Sequence, residues 1–323
     1  MGEVRAAPPN RMSVQVGPLS LKNPILTASG TFGYGLEFSD FIDLGKLGGL
    51  CTKGLSLRPH AGNAPPRICE TPAGMLNAIG LQNIGVEAFL AEKLPKLEAL
   101  GATVIPNVWG DVEEEYVAVV RSLEGAGGLA AIELNISCPN VERGGMLFGN
   151  SPSATASLVA RVRAATNRPL MVKLSPNAPD LVESARAARD AGADILSLIN
   201  TFVGMAIDPE TARPRLSFGT GGLSGPAIKP LAVRMVYQVA RALPGMPLMG
   251  IGGISELSDV LEFLAAGAGA IQVGTANFKE PGISQRLVEE LEGYCQARGI
   301  TAASLVGRAH RSGVVAADAG AEG

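Results

Sequence analysis

Eight short apolar runs, the helical stretches between them and the lack of any composition break along the chain predict an α/β fold, a single-domain (β/α)8 TIM barrel. The runs are "NPILTASG" (23–30), "LGGLCTKG" (47–54), "ATVIPNVWG" (102–110), "AAIELNIS" (130–137), "PLMVKLSP" (169–176), "ADILSLINT" (193–201), "PLMGIGGI" (247–254) and "AIQVGTANF" (270–278). Their apolar residues are nearly continuous rather than alternating, as in parallel strands covered on both faces. The helical stretches are "VEAFLAEKLPKLEAL", "DVEEEYVAVVRSLE", "PSATASLVARVRAAT", "PDLVESARAARDAG", "PAIKPLAVRMVYQVARAL", "SELSDVLEFLAAG" and "GISQRLVEELEGYCQARG". Several open with Ser, Asp or Pro and end at Gly, as helices do. Each right-handed crossover lays the next strand parallel to the last, so eight units close into a barrel.

The 323 residues suffice for two ordinary domains or for one barrel of about 250 residues. The unbroken alternation selects the barrel, over residues 13–305, with an N-terminal extension (1–12) expected to be disordered and a C-terminal tail (306–323). Apolar residues make up 46% of the chain and aromatics 4%, which suits short strands alternating with Ala-rich helices. A net charge of −3 with scattered basic residues leaves no electrostatic footprint for nucleic acid or an anionic membrane, so a small ligand is expected. The first dozen residues lack an apolar signal core, and no run reaches the roughly 18 apolar residues of a membrane span. A cytoplasmic protein is therefore expected. Cysteines 51, 69, 138 and 295 show no CxxC spacing, and His60 and His310 are far apart, so no metal site is expected in this chain. Cys51, Cys69 and Cys295 read as small buried hydrophobes.

Two connections, 55–84 and 202–226, are long for such a barrel. Both follow a strand, so they should stand over the face where barrel active sites lie. Polar residues gather at the same strand ends: Ser29, Lys53, Asn107, Asn135, Cys138, Lys173, Asn200 and Thr201. In a barrel they form one ring around one pocket. Taken singly, Asn135 and Asn140 could do no more than satisfy turn backbone. Lys53 and Lys173 interrupt apolar runs, where an unpaired ammonium is costly, and this favours a bound anion or an electron-rich ring. "GIGGIS" (250–255) and "VGTANF" (273–278) end the seventh and eighth runs, where backbone N–H groups and a helix dipole commonly hold phosphate in this fold. Either glycine turn alone reads equally well as a tight turn. Neither is a G-x-G-x-x-G after a first strand, so direct dinucleotide binding is not supported.

In order along the chain, "SGTFGYG" (29–35), "TKGLSL" (52–57), "NAIGLQNIG" (77–85), "NISCPN" (135–140), "VKLSPN" (172–177), "INTFVGMAID" (199–208), "GGLSGPAIKP" (221–230), "GIGGI" (250–254) and "VGTANF" (273–278) resemble the dihydroorotate dehydrogenases, FMN barrels of pyrimidine synthesis. Only the first dozen and the last twenty or so residues lie outside the resemblance. The cysteine of "NISCPN" is similar to class 1 enzymes, since class 2 enzymes carry serine there. "NTFVGMAID" and "GGLSGPAIKP" resemble class 1B rather than the fumarate-using class 1A.

The resemblance implies oxidation of (S)-dihydroorotate to orotate, with FMN accepting hydride from C6 and Cys138 as the base at C5. It further implies a partner subunit that carries FAD and a [2Fe–2S] cluster and passes electrons to NAD, in a heterotetramer of two catalytic and two electron-transfer subunits. Substrate contacts are implied for Lys53, Asn77, Ala78, Ile79, Gly80, Leu81, Asn135, Asn140, Asn200 and Thr201. FMN contacts are implied for Ser29, Lys53, Gly54, Asn107, Asn135, Lys173, Ile199 and Gly225, with its phosphate on Gly252, Gly253, Gly274 and Thr275. Lys173 would lie near N1 and O2 of the ring, where charge accumulates on reduction. "VERGGMLFGNSP" (141–152) reads as a lid over Cys138.

Three rivals remain. Dihydropyrimidine dehydrogenases use a similar cysteine, but those carry ferredoxin-like cysteine clusters, and uracil lacks the carboxylate that Lys53 should bind. A flavin-free phosphosugar isomerase or lyase could use the same phosphate turns. A non-catalytic docking barrel leaves Cys138, Lys53 and Lys173 together hard to explain.

Overall fold

The computed structural model describes residues 10–136 and 148–311 of the chain. All eight apolar runs contribute parallel strands: β1 Ile25–Thr27, β2 Gly49–Cys51, β3 in two pieces (Val104–Ile105 and Asn107–Val108), β4 Ile132–Asn135, β5 Leu170–Lys173, β6 Ile195–Leu198, β7 Leu248–Ile251 and β8 Ala270–Val273. Pro106, which has no N–H to give the ladder, divides β3. The first piece pairs with β2 through Leu50↔Val104, and the second pairs with β4 through Val108↔Leu134. One run thus bonds on both sides, and the sheet closes into an eight-stranded barrel. From β4 to β8 every strand residue is buried, because inward side chains fill the barrel while outward ones meet helices.

The helices follow the expected segments: Val86–Ala88 running through a single π turn into Leu94–Ala99, then Glu113–Glu124, Pro152–Arg163, Leu181–Asp190, Lys229–Ala242, Leu257–Ala265 and Ile283–Arg298. Their starts are chemically marked. The side chains of Ser151 and Asp180 accept from the N–H groups of Ala154 and Glu183, satisfying donors that a helix start leaves without partners. Helix Leu257–Ala265 seats Phe263 on β7 so closely that a Cβ on Gly250 would lie 2.4 Å from the ring. The β1–β2 connection carries only two 3-10 turns, Leu36–Phe38 and Leu44–Lys46.

An antiparallel hairpin, Val14–Val16 with Leu19–Leu21, lies at the opposite end from the long connections. Its turn at Gly17 packs against the N-terminal ends of β6 and β7: a Cβ there would sit 3.1 Å from both Asp194 O and Pro247 Cγ. Its four apolar residues, Val14, Val16, Leu19 and Leu21, are buried and close the barrel floor. Met12 is buried beside it, and the Arg11 carbonyl accepts from the Ala302 N–H at 2.8 Å.

The two long connections build a structure of their own. Strands Ile68–Thr71, Gly74–Asn77, Thr220–Ser224 and Phe202–Met205 form a four-stranded antiparallel sheet, joined across the connections by Gly222↔Asn77 and Ser224↔Met75. Glycine is required at the seam, because a Cβ on Gly222 would come within 2.1 Å of Thr201 Oγ1. Cys51 and Cys295 are buried as expected. Cys69 is only half-buried, because its strand stands over the barrel mouth instead of inside the core. No helix among the described residues is long and apolar enough to cross a membrane.

Candidate active site

A cavity of about 230 Å³, open to solvent on one side, lies between the C-terminal strand ends and the four-stranded sheet. Ser29, Lys53, Gly54, Asn77, Ile79, Gly80, Leu81, Asn135, Lys173, Ile199, Asn200, Thr201, Gly225, Gly252, Gly253, Gly274 and Thr275 all line it. Two residues named from the sequence do not. Ala78 is fully buried in a small cluster with Leu76 and Leu216. Asn107 is fully buried behind the wall at Gly54, where an added Cβ would approach its Oδ1 to 3.1 Å. Cys138 and Asn140 lie outside the described residues, as do residues 141–147 of the expected lid. The lining also includes Met75, Ser224 and the exposed Phe278, none of them named from the sequence as a site residue, although Ser224 and Phe278 fall within the motifs "GGLSGPAIKP" and "VGTANF".

Lys173 ends β5 with 5% of its surface exposed and with no hydrogen-bond or ion-pair partner among the described residues. Burying an ammonium without a contact partner is costly, and an anion or electron-rich ring bound in the cavity would lower that cost. Around it the asparagines form a connected rim. Asn200 Nδ2 donates to Asn135 Oδ1 at 3.2 Å, and Asn200 Oδ1 accepts from the Thr201 N–H at 2.8 Å. Asn77, the last residue of strand Gly74–Asn77 in the overlying sheet, donates through Nδ2 to the carbonyl of its cross-strand partner Gly222 at 3.2 Å. Lys53 is held through its N–H, which donates to the Gly33 carbonyl at 2.8 Å.

At the other end of the cavity, Gly252 (φ +130) and Gly253 (φ +73) turn the chain after β7. A Cβ on Gly253 would lie 2.8 Å from the Gly225 carbonyl, so only glycine fits. The N–H groups of Gly252, Gly253, Gly274 and Thr275 donate to no other described residue. The helix dipole expected to reinforce them is largely spent. Asp259, near the start of helix Leu257–Ala265, accepts from the N–H groups of Ser255 and Glu256 at 2.8 and 2.9 Å and pairs with Lys229 at 2.7 Å. Burial alone would raise its carboxyl, but the Lys229 ammonium and those two N–H groups outweigh burial and hold it below its ordinary value. After β8 the helix is only Ala276–Lys279. Bare backbone N–H groups are therefore what this end of the cavity offers to an anion.

Beneath the cavity the sequence held an unread signal. Glu133, fully buried in β4, accepts from Asn107 Nδ2 at 2.7 Å, Ser197 Oγ at 2.8 Å and Gln272 Nε2 at 2.8 Å. A charge inside an apolar run marked the lysines and marks Glu133 equally. Cys51 shares this interior but is no nucleophile. Burial first, and then the Glu133 carboxylate, push its thiol well above the ordinary range, against a smaller opposing pull from Lys173.

A nearly buried cation facing the cavity, an amide rim and bare glycine N–H groups fit a flavin mononucleotide, whose ring gains negative charge on reduction and whose tail is a phosphate. The family model described as dihydroorotate dehydrogenase matches residues 11–294. The chain belongs to the dihydroorotate dehydrogenase family. It is similar to proteins named dihydroorotate dehydrogenase B (NAD(+)), catalytic subunit. The one from Trichlorobacter lovleyi is 56% identical over 297 residues, 92% of this chain and 97% of that protein. The relative from Geobacter sp. strain M21 is 55% identical with the same coverage, and that from Geotalea uraniireducens is 56% identical over 90% of this chain and 94% of its own length. The matched span encloses every family motif from "SGTFGYG" to "VGTANF" and every lining residue named above.

Proposed function

We propose that the chain oxidises (S)-dihydroorotate to orotate as the catalytic subunit of an NAD-dependent enzyme in pyrimidine synthesis, with electrons leaving through a partner subunit that carries FAD and a [2Fe–2S] cluster. When bound, FMN supplies the acceptor for hydride from C6 of the substrate. The phosphate is held by the N–H groups of Gly252, Gly253, Gly274 and Thr275. Lys173 supplies a fixed positive charge where the ring gains negative charge, and a cation preorganised in a dry site stabilises such charge better than water does. Asn77, Asn135 and Asn200 offer both donors and acceptors to the imide edges of the pyrimidine. Lys53 takes the substrate carboxylate, and Cys138 removes the proton from C5.

The observation that carries this reading is Lys173, 5% exposed and without a hydrogen-bond or ion-pair partner among the described residues. An anaerobic absorbance titration of the purified chain with dihydroorotate, and separately with dihydrouracil, tests it. Bleaching of the flavin band by dihydroorotate alone is the expected result. Bleaching by dihydrouracil alone would transfer the assignment to dihydropyrimidine chemistry. A colourless chain that added FMN does not reconstitute would end the flavin reading.

A further inference from the structure

We infer that Glu133 is a positioning residue for this site: from beneath the cavity floor its carboxylate offsets the charge of Lys173 and fixes Asn107 behind the cavity wall, holding down the reduction potential of the bound flavin. The inference rests on the FMN reading above.

Three strands converge on this one carboxylate, through Asn107 of β3, Ser197 of β6 and Gln272 of β8. All three groups donate, so the carboxylate serves as an acceptor only. As a brace it has no advantage, because apolar residues of similar volume would fill a barrel layer at equal or lower cost. Its position suggests a different use. Glu133 and Asn135 are two residues apart on β4 and so face the same way. Asn135 stands opposite Lys173 in the ladder, while Glu133 stands opposite Met171. The carboxylate is thus one layer below the Asn135–Lys173 pair that lines the cavity. Both charges act with opposite sign on the Cys51 thiol, which places them in one low-dielectric interior.

Asn107 transmits the second effect. Its Nδ2 is committed to Glu133, and its Oδ1 is buried without a hydrogen-bond partner next to Gly54. The carboxylate therefore decides which end of that amide faces the wall. In sum, Lys173 alone would make reduction of the flavin very favourable. An anion beneath it returns part of that gain, so that electrons taken from substrate can leave again.

The test is a dye-referenced reductive titration of the flavin-loaded chain, comparing wild type with Glu133→Gln and Ser197→Ala. Glutamine keeps the shape, and an Asn107 amide turned over can accept from it. Glu133→Gln is expected to raise the reduced-to-oxidised ratio at a fixed poise tenfold or more, about 30 mV for a two-electron couple. Ser197→Ala keeps the charge but removes one of its donors, and should move the potential less and in the negative direction. A yellow Glu133→Gln chain whose potential matches wild type overturns the inference. If that variant does not fold, Ser197→Ala decides, and an unmoved or more positive potential overturns it. A wild-type chain that cannot be loaded with FMN overturns the functional reading beneath it.

Discussion

The hydroxyl of Tyr116 donates to the carbonyl of Asn135 at 2.7 Å, while the same ring meets Phe148 edge-on with centroids 5.8 Å apart. Tyr116 is fully buried on helix Glu113–Glu124. One side chain thereby holds a residue on each side of the stretch that contains Cys138, joining the helix layer to the end of β4.

Tyr116→Phe keeps the ring contact and removes the hydroxyl. A buried carbonyl that loses a donor costs about 1–3 kcal/mol, so the melting temperature should fall by several degrees. Because Asn135 is at the rim, dihydroorotate-dependent flavin reduction should slow several-fold with FMN content unchanged. Stopped-flow reduction and a thermal melt separate the two effects. A lower melting temperature with unchanged reduction would reduce Tyr116 to a brace.

Asn200→Ala removes a donor to Asn135 and an acceptor for the Thr201 N–H at once. Loss of rim hydrogen bonds costs about 1–3 kcal/mol, so KM for dihydroorotate should rise roughly tenfold or more. The glycine turns proposed to hold phosphate do not bond to Asn200, and FMN absorbance should stay as in wild type. Steady-state kinetics together with the flavin spectrum check this, and release of FMN would show that Asn200 supports the cofactor as well.

Asp259 gives the pH prediction. Its carboxyl titrates lower in the folded chain than its ordinary value near 3.8. A depressed folded value means that the ionised form stabilises the fold. That contribution is complete above about pH 4 and is lost as pH falls through the folded value. Wild type should therefore lose melting temperature more steeply than Asp259→Asn below pH 4, and the gap between the two should be widest at neutral pH. Parallel curves would mean that the Lys229–Asp259 pair contributes nothing net.

The barrel was legible because its evidence is local. Runs such as "PLMVKLSP" and "PLMGIGGI" need only their own apolar continuity to read as buried strands. Lys173 was legible because a charge inside such a run needs an explanation, and Glu133 satisfied the same criterion unread. The sheet over the cavity was not legible. Asn77 and Gly222 meet across 145 residues, and strands such as Phe202–Met205, alternately half-buried and exposed, give no continuous apolar signal. The helix at Leu257 contributes less dipole than the sequence suggests because Asp259, three positions after Glu256, completes a capping box and takes the N–H groups of Ser255 and Glu256, leaving those of Gly252 and Gly253 bare.

Cys138 carries the last prediction. A general base contributes about 10²- to 10⁴-fold, so Cys138→Ala should slow anaerobic flavin reduction by dihydroorotate within that range while the chain stays yellow, since the phosphate and ring contacts proposed above involve other residues. A thiol with an ordinary pKa of about 8.5 must first lose its proton. Wild-type reduction should therefore accelerate as pH rises towards that value and then level off. Cys138→Ser replaces the thiol with a hydroxyl that stays protonated throughout this range, so the plateau should disappear from the profile. If the wild-type plateau persists unchanged in Cys138→Ser, a different group is the base, and the search moves to other residues lining the cavity.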